Sequence, residues 1–224
     1  MMLKPRKKIT KKQLKEDSLV TFYFKAQEWL DKHGKTLMIA AAAVVLAIAG
    51  FTYYLYAQTQ AEKSASVDLA RATRTLEAQD YQNAISQLSG IVDNYGRTTS
   101  GKIARLHLAQ AFFQTKEYAN AKSSYKKFIS SFSGDEYFLA AAQAGVASCL
   151  ETEKKHTEAA EAYLKAVDSY SSVLDPAMLL NAGRCFQEAG QKEKARKAFN
   201  RIIEEHPKAA EKDDAVMFLG LIGG

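Results

Sequence analysis

The sequence predicts an all-α protein. A single N-terminal transmembrane helix is expected first, then an α-solenoid of about four helical hairpins closed by a terminal capping helix. Three observations predict it. Residues 1–35 carry ten Lys/Arg and four acids, a net charge of +6. The whole chain also sums to +6, so residues 36–224 are neutral. Between Thr36 and Ala61 there is no charged residue at all. Beyond that run, small residues return at steps of 36 to 38 positions.

Each element follows in chain order. Residues 1–15 read as a flexible basic tail, which anionic lipid or acidic RNA attracts without sequence specificity. Leu19, Phe22, Tyr23, Ala26, Trp29 and Leu30 recur at three- and four-residue steps. Ser18 is placed to cap a helix there and Gly34 to end it. That stripe suits a helix in the inner interface plane. A loose juxtamembrane linker fits the same residues. Residues 36–56 form the expected span. At 1.5 Å per residue, 21 helical residues cover roughly 30 Å, the thickness of a hydrocarbon core. Tyr53, Tyr54 and Tyr56 mark one end and Trp29 precedes the other, as aromatic rings do at water–lipid boundaries. Lys32 and Lys35 are placed to snorkel. The basic side stays cytoplasmic and the remainder crosses, so the expected location is the inner (plasma) membrane, single-pass, with residues 57–224 on the outer, or periplasmic, side. A cleaved signal peptide and a buried core helix are the competing readings. The basic lead is long for a signal peptide, and Leu55, Tyr56 and Ala57 do not make a small-residue cleavage site.

A short linker is expected over 57–64, then a repeat domain over 65–224. Ala84, Ala121, Ala159 and Ala195 occupy one repeating slot. Four residues on stand Leu88, Tyr125, Tyr163 and Phe199. Twelve residues earlier stand Ala72, Ala109, Ala147 and Gly183. Such periods signal stacked helix pairs. Small residues let the two axes approach, and the ring fills the gap toward the next unit. The hairpin turns are expected at Asp80, Glu117, Lys155 and Gly190. Asp175 and Pro176 read as an N-cap and an N1 proline. The repeats lie near 65–98, 102–133, 140–171 and 176–207, and a capping helix is expected over 209–221.

These slots resemble the tetratricopeptide repeat (TPR). Leu179, Gly183, Phe186, Gly190, Ala195, Phe199 and Pro207 all fall on its motif. In 65–96, Asp68 and Arg71 stand where the motif is apolar. Anchor and repeats together resemble the YfgM-like family, the ancillary subunit of the SecYEG translocon. The local match is Trp29 to Lys35 entering the span, Gly50 to Tyr56 leaving it, and Ser64 to Ser66 opening the outer domain. The basic leader is longer than that family implies. The resemblance implies partners among translocon subunits, periplasmic chaperones and secreted clients, and a chaperone-like activity.

Catalytic and metal motifs are missing from the sequence. His33, His107, His156 and His206 are scattered and form no zinc spacing. There is no nucleophile elbow, P-loop or dinucleotide fingerprint. Cys149 and Cys185 share one slot in successive repeats. Buried thiols are the favoured reading, with a bridge as the alternative. The expected function is therefore non-enzymatic and cofactor-free. No small-molecule substrate is expected. Basicity confined to the leader argues against a specific nucleic-acid partner.

The expected binding surface is the concave face, lined by the first helix of each pair. Its candidate residues are Leu106, Gln110, Phe113, Gln114, Ser148, Glu151, Leu180, Arg184 and Gln187. Amides suit a peptide backbone and Phe113 suits an apolar anchor. Ordinary surface or intra-stack packing is the alternative. Membrane lipid is the expected partner of residues 36–56. Two rival functions share this architecture: a scaffold for cell-envelope assembly, and a regulatory anchor acting through its cytoplasmic tail.

Overall fold

The computed structural model describes residues 11–170 and 172–223, with side chains from Val20 onward. The expected tail over 1–15 lies largely outside them. Nine helices and no strand occur among the described residues. They are α1 (Lys11–Glu77), α2 (Tyr81–Tyr95), α3 (Thr99–Gln114), α4 (Tyr118–Ser131), α5 (Glu136–Thr152), α6 (His156–Ser169), α7 (Asp175–Glu188), α8 (Lys192–Glu205) and α9 (Glu211–Gly223). The chain divides into two compact units, residues 1–57 and 58–224.

The first unit is the leading part of α1. Its apolar residues are open on every side, Leu46 being 72% exposed. The helix is long and apolar enough to cross a membrane. Gly34 does not end it; helix continues through that position. A glycine costs a helix about 1 kcal/mol, and the alanine- and leucine-rich stretch that follows outweighs this.

The second unit is a stack of hairpins. Each second helix packs against the first helix of its own pair and of the next pair, as α4 does against α3 and α5. The repeating small residues lie in the seams. Ala84, Ala121, Ala159 and Ala195 are fully buried, and so are Ala72, Ala109 and Ala147. The rings behave as the spacing requires. Phe199 is fully buried, and Tyr125 and Tyr163 nearly so. Gly145 leaves room for the Tyr125 ring and Gly183 for the Phe199 ring. Three buried clusters result, one around Leu88, one around Phe128 and one around Phe186 and Phe199.

The four hairpin turns share one geometry. In the second, Glu117 N–H donates to Phe112 O at 2.8 Å and Lys116 N–H to Phe113 O at 3.0 Å. The same pair of bonds recurs at Gln79–Asp80, Lys154–Lys155 and Gly190–Gln191. This is the Schellman closure, which needs a left-handed residue after the helix. Gln79, Lys116, Lys154 and Gly190 supply it, with φ of 62°, 64°, 58° and 71°. Only the last is a glycine. At the fourth hairpin, Asp175 is the first helical residue rather than the cap, so α7 starts one position earlier than its sequence suggests. Pro176 sits in its first turn, where its missing N–H costs nothing.

The start of the stack is pinned by Glu62 on α1. Its carboxylate accepts from Thr99 N–H at 2.7 Å, Ser100 N–H at 3.0 Å and Ser100 Oγ–H at 2.6 Å. An anion thus satisfies unpaired donors at the α3 N-terminus. Thr98 Oγ1 caps the next amide, that of Gly101, at 2.9 Å.

Candidate protein-binding face

The first helices α3, α5 and α7 carry the predicted site residues on one repeating strip. Gln110, Phe113 and Gln114 stand on α3, Ser148 and Glu151 on α5, and Leu180, Arg184 and Gln187 on α7. Among the first helices, α3 touches α5 and α7 touches α9.

Their burial divides them. Gln114 and Arg184 are exposed. Gln110, Phe113, Ser148, Glu151, Leu180 and Gln187 are half-buried. Leu106 departs from expectation. It is 2% exposed and belongs to the cluster around Phe128, so it offers no surface to a ligand. The registry puts it on the inner strip, but hydrocarbon at that depth packs into the core.

Two apolar members are partly engaged. Phe113 meets the Tyr118 ring edge-on at 5.4 Å, and Leu180 packs on the core of the last two hairpins. Phe113 is therefore an oriented half-open ring. Gln110 and Arg184 have polar partners as well. His107 Nδ1 lies 2.9 Å from Gln110 Oε1, and burial lowers the His107 pKa. Arg184 Nη1 donates weakly to Asn181 Oδ1 at 3.4 Å, leaving most of its guanidinium free.

A group outside the expected set organises the centre. Tyr163 on α6 reaches across its hairpin. Its hydroxyl lies 2.8 Å from Ser148 Oγ and donates to Glu151 Oε2 at 3.3 Å. One buried phenol thus fixes two lining side chains. Burial, then the Glu151 charge, push its pKa up. The ring slot was legible in the repeat, but the hydroxyl's role was not, since Leu88 and Phe199 fill that slot without one.

The thiols are inert. Cys149 and Cys185 are free and buried, with no bridge. Burial pushes Cys149 up to about 11. Burial and then the Glu151 carboxylate push Cys185 up to about 12. Both stay protonated near neutrality. Among the described residues no cluster of His, Cys, Asp and Glu is placed to hold a metal.

A separate cleft of about 280 Å³ opens on the first hairpin, between α1 and α2. Asp68, Arg71, Gln87, Gly90, Asn94 and Tyr95 line it. Asp68 and Arg71 pair at 3.7 Å, both substantially exposed. Their unusual polarity now has a reason. Those slots face outward at the free start of the stack, where a polar end keeps a solenoid soluble.

The tetratricopeptide repeat-like domain family matches residues 27–218. No curated protein matches the chain. Among solved structures, a TPR protein from Parabacteroides merdae aligns at TM-score 0.60 and 14% identity, over 72% of this chain and 61% of that one. A putative kinesin light chain with TPR-like repeats from Podosopora anserina aligns at 0.57 and 15%, over 70% and 84%. PilW, a type IV pilus biogenesis factor, aligns at 0.56 and 18%, over 71% and 72%. At these identities the likeness is one of fold.

Proposed function

We infer that this chain, which belongs to the tetratricopeptide repeat-like domain family, is a membrane-anchored module that grips segments of other proteins without doing chemistry on them. One observation carries this. A stack of hairpins presents a strip of amides, a hydroxyl and a largely free guanidinium, while the same chain bears a wholly exposed apolar helix. Water solvates such a helix poorly, and a hydrocarbon layer matches its length and composition. Tethering raises the concentration of the strip near other membrane proteins.

The charge asymmetry supports a cytoplasmic N-terminus and a periplasmic repeat domain in the inner membrane. The finer role we propose is that of an ancillary factor beside the protein translocon, holding emerging or freshly secreted chains in a chaperone-like way. The supporting features are the span-flanking residues Trp29 to Lys35 and Gly50 to Tyr56 and the shared layout. A role in envelope assembly is the second reading, favoured by the fold likeness to PilW.

Photocrosslinking separates them. A crosslinker at Gln114 or Arg184 of the full chain in cells is expected to trap translocon subunits and many secreted chains. A crosslinker at Lys165, exposed on a second helix, is the control. One stoichiometric envelope partner at Arg184 would instead establish the scaffold. A protein recovered free in the cytosol would end both readings. Deleting residues 2–15 tests the tail: lost activity with an intact outer domain would favour the regulatory anchor.

A further inference from the structure

Helix α9 is built as the first half of a hairpin. The small first-helix slot runs Ala72, Ala109, Ala147, Gly183, and its next copy is Gly220 on α9. The register holds at other slots. Ala104, Ala142 and Met178 are buried, and so is their counterpart Ala215. Ala111, Cys149 and Cys185 are buried, and so is their counterpart Ile222. Phe218 stacks on Phe199 at 5.3 Å and seats this side of α9 on α8.

The other side differs sharply from its equivalents. On α7, Leu179 and Gly183 are buried. The Phe199 ring of α8 lies 2.3 Å from where a Gly183 Cβ would sit. On α9 the same two slots are Val216 and Gly220. Val216 is 52% exposed, and nothing lies within 4 Å of a Cβ placed on Gly220. Met217 and Leu221 beside them are 53% and 64% exposed. Helix α9 is therefore apolar around its whole second half, which is a buried helix's composition. A capping helix normally turns a polar face outward.

We propose that this face receives an amphipathic helix from a partner protein, laid antiparallel to α9 as each second helix lies on its first. The packing rule repeated inside the domain specifies its chemistry. It brings a small residue to the seam and a ring four positions later to fill the space over Gly220. The first turn of α9 carries Glu211, Asp213 and Asp214. An antiparallel helix sets its C-terminal turn beside those carboxylates, so a basic final turn fits both them and its own dipole. The surface continues the first-helix/second-helix seam already formed in α3–α4, α5–α6 and α7–α8. This face lies on α9, apart from the inner strip of α3, α5 and α7.

The probe is a labelled synthetic peptide with the α4 sequence, Tyr118–Ser131. It carries Ala121 and, four residues on, Tyr125, and its two final residues are changed, Ser130→Lys and Ser131→Lys, to supply the basic last turn that the native helix lacks. Fluorescence anisotropy is read against the full-length chain in nanodiscs. Saturable binding is expected, weakened at least tenfold by Val216→Lys or Gly220→Phe with an unchanged melting temperature, since both positions face open space. Tyr125→Ala in the peptide weakens it similarly, and Arg184→Glu in the protein leaves it intact. The proposal is overturned if no saturable signal appears or if Val216→Lys binds as the parent does. Equal loss in Arg184→Glu would place the peptide on the inner strip and also overturns it. So does light scattering that shows a dimer broken by Val216→Lys and indifferent to peptide, because a second copy then owns the face.

Discussion

Replacing Gly183 with alanine tests the close-packing account most directly. Two effects oppose each other. Alanine in place of an interior helical glycine gains about 1 kcal/mol of helix propensity. The new Cβ, however, would lie 2.3 Å from Phe199 Cε1, 2.6 Å from Cζ and 2.7 Å from Cδ1. The ring has no free side to retreat into. Phe199 is fully buried and stacked on Phe218 at 5.3 Å. Overpacking of this kind costs about 1–3 kcal/mol, and a clash this short belongs at the upper end. The net expectation is a loss of about 1–2 kcal/mol, or roughly 2–8 °C in melting temperature at this chain length. Circular dichroism through a thermal and a urea ramp measures it. Phe199→Leu in the Gly183→Ala background supplies the cycle: relief of the clash gives a coupling of at least about 0.5 kcal/mol. Gly220→Ala is the internal control, because nothing lies near its Cβ, and it is expected to be neutral or mildly stabilising. A Gly183→Ala protein as stable as its parent, with additive effects in the cycle, would refute the seam.

Further expectations concern turns, caps and charge. Lys154 holds φ at 58°, so Lys154→Gly is expected to stabilise by about 0.5–1 kcal/mol, the left-handed strain relieved less the added freedom of the unfolded chain; a urea midpoint that falls contradicts this. Glu62→Gln loses the charge on three hydrogen bonds and is expected to cost about 1–3 kcal/mol, with amide exchange accelerated first at Thr99 and Ser100. The Glu153 carboxyl is held down at about 2 from an ordinary 4.5, by Lys122 first and then Lys155. A depressed carboxylate stabilises the fold above its unfolded pKa and stops doing so as pH falls through its folded one. Stability attributable to this cluster is therefore full above about pH 4.5 and fades toward pH 2. Lys122→Ala is expected to flatten that stretch of a pH–stability curve, and an unchanged curve counts against it.

Much of the repeat domain was legible because its physics is local and periodic. A buried seam admits only small residues, so Ala121 and Ala195 announce themselves at fixed spacing. The rings four positions on follow from the same geometry. Other features were hidden because they depend on partners distant in sequence. Glu62 and Ser100 are 38 residues apart, and no spacing rule links them. Tyr163 resembles any repeat ring until Ser148 and Glu151 are seen against its hydroxyl. Leu106 shares a slot with half-exposed residues, yet its own neighbours bury it. Asp68 and Arg71 looked like poor motif matches and proved to be a polar end face.

Charge order and hydropathy along the chain determined that one helix is suited to lipid and that the rest is neutral. The period determined a stack of hairpins, since a repeated pattern of small and large residues has few other ways to bury itself. Which side chains remain available to a partner was decided only when the helices packed. Availability depends on what lies on each residue's far side, and that is a property of neighbours in space rather than of position in the repeat. Gly183 and Gly220 make the point: one residue type and one register, the first sealed by an aromatic ring and the second open.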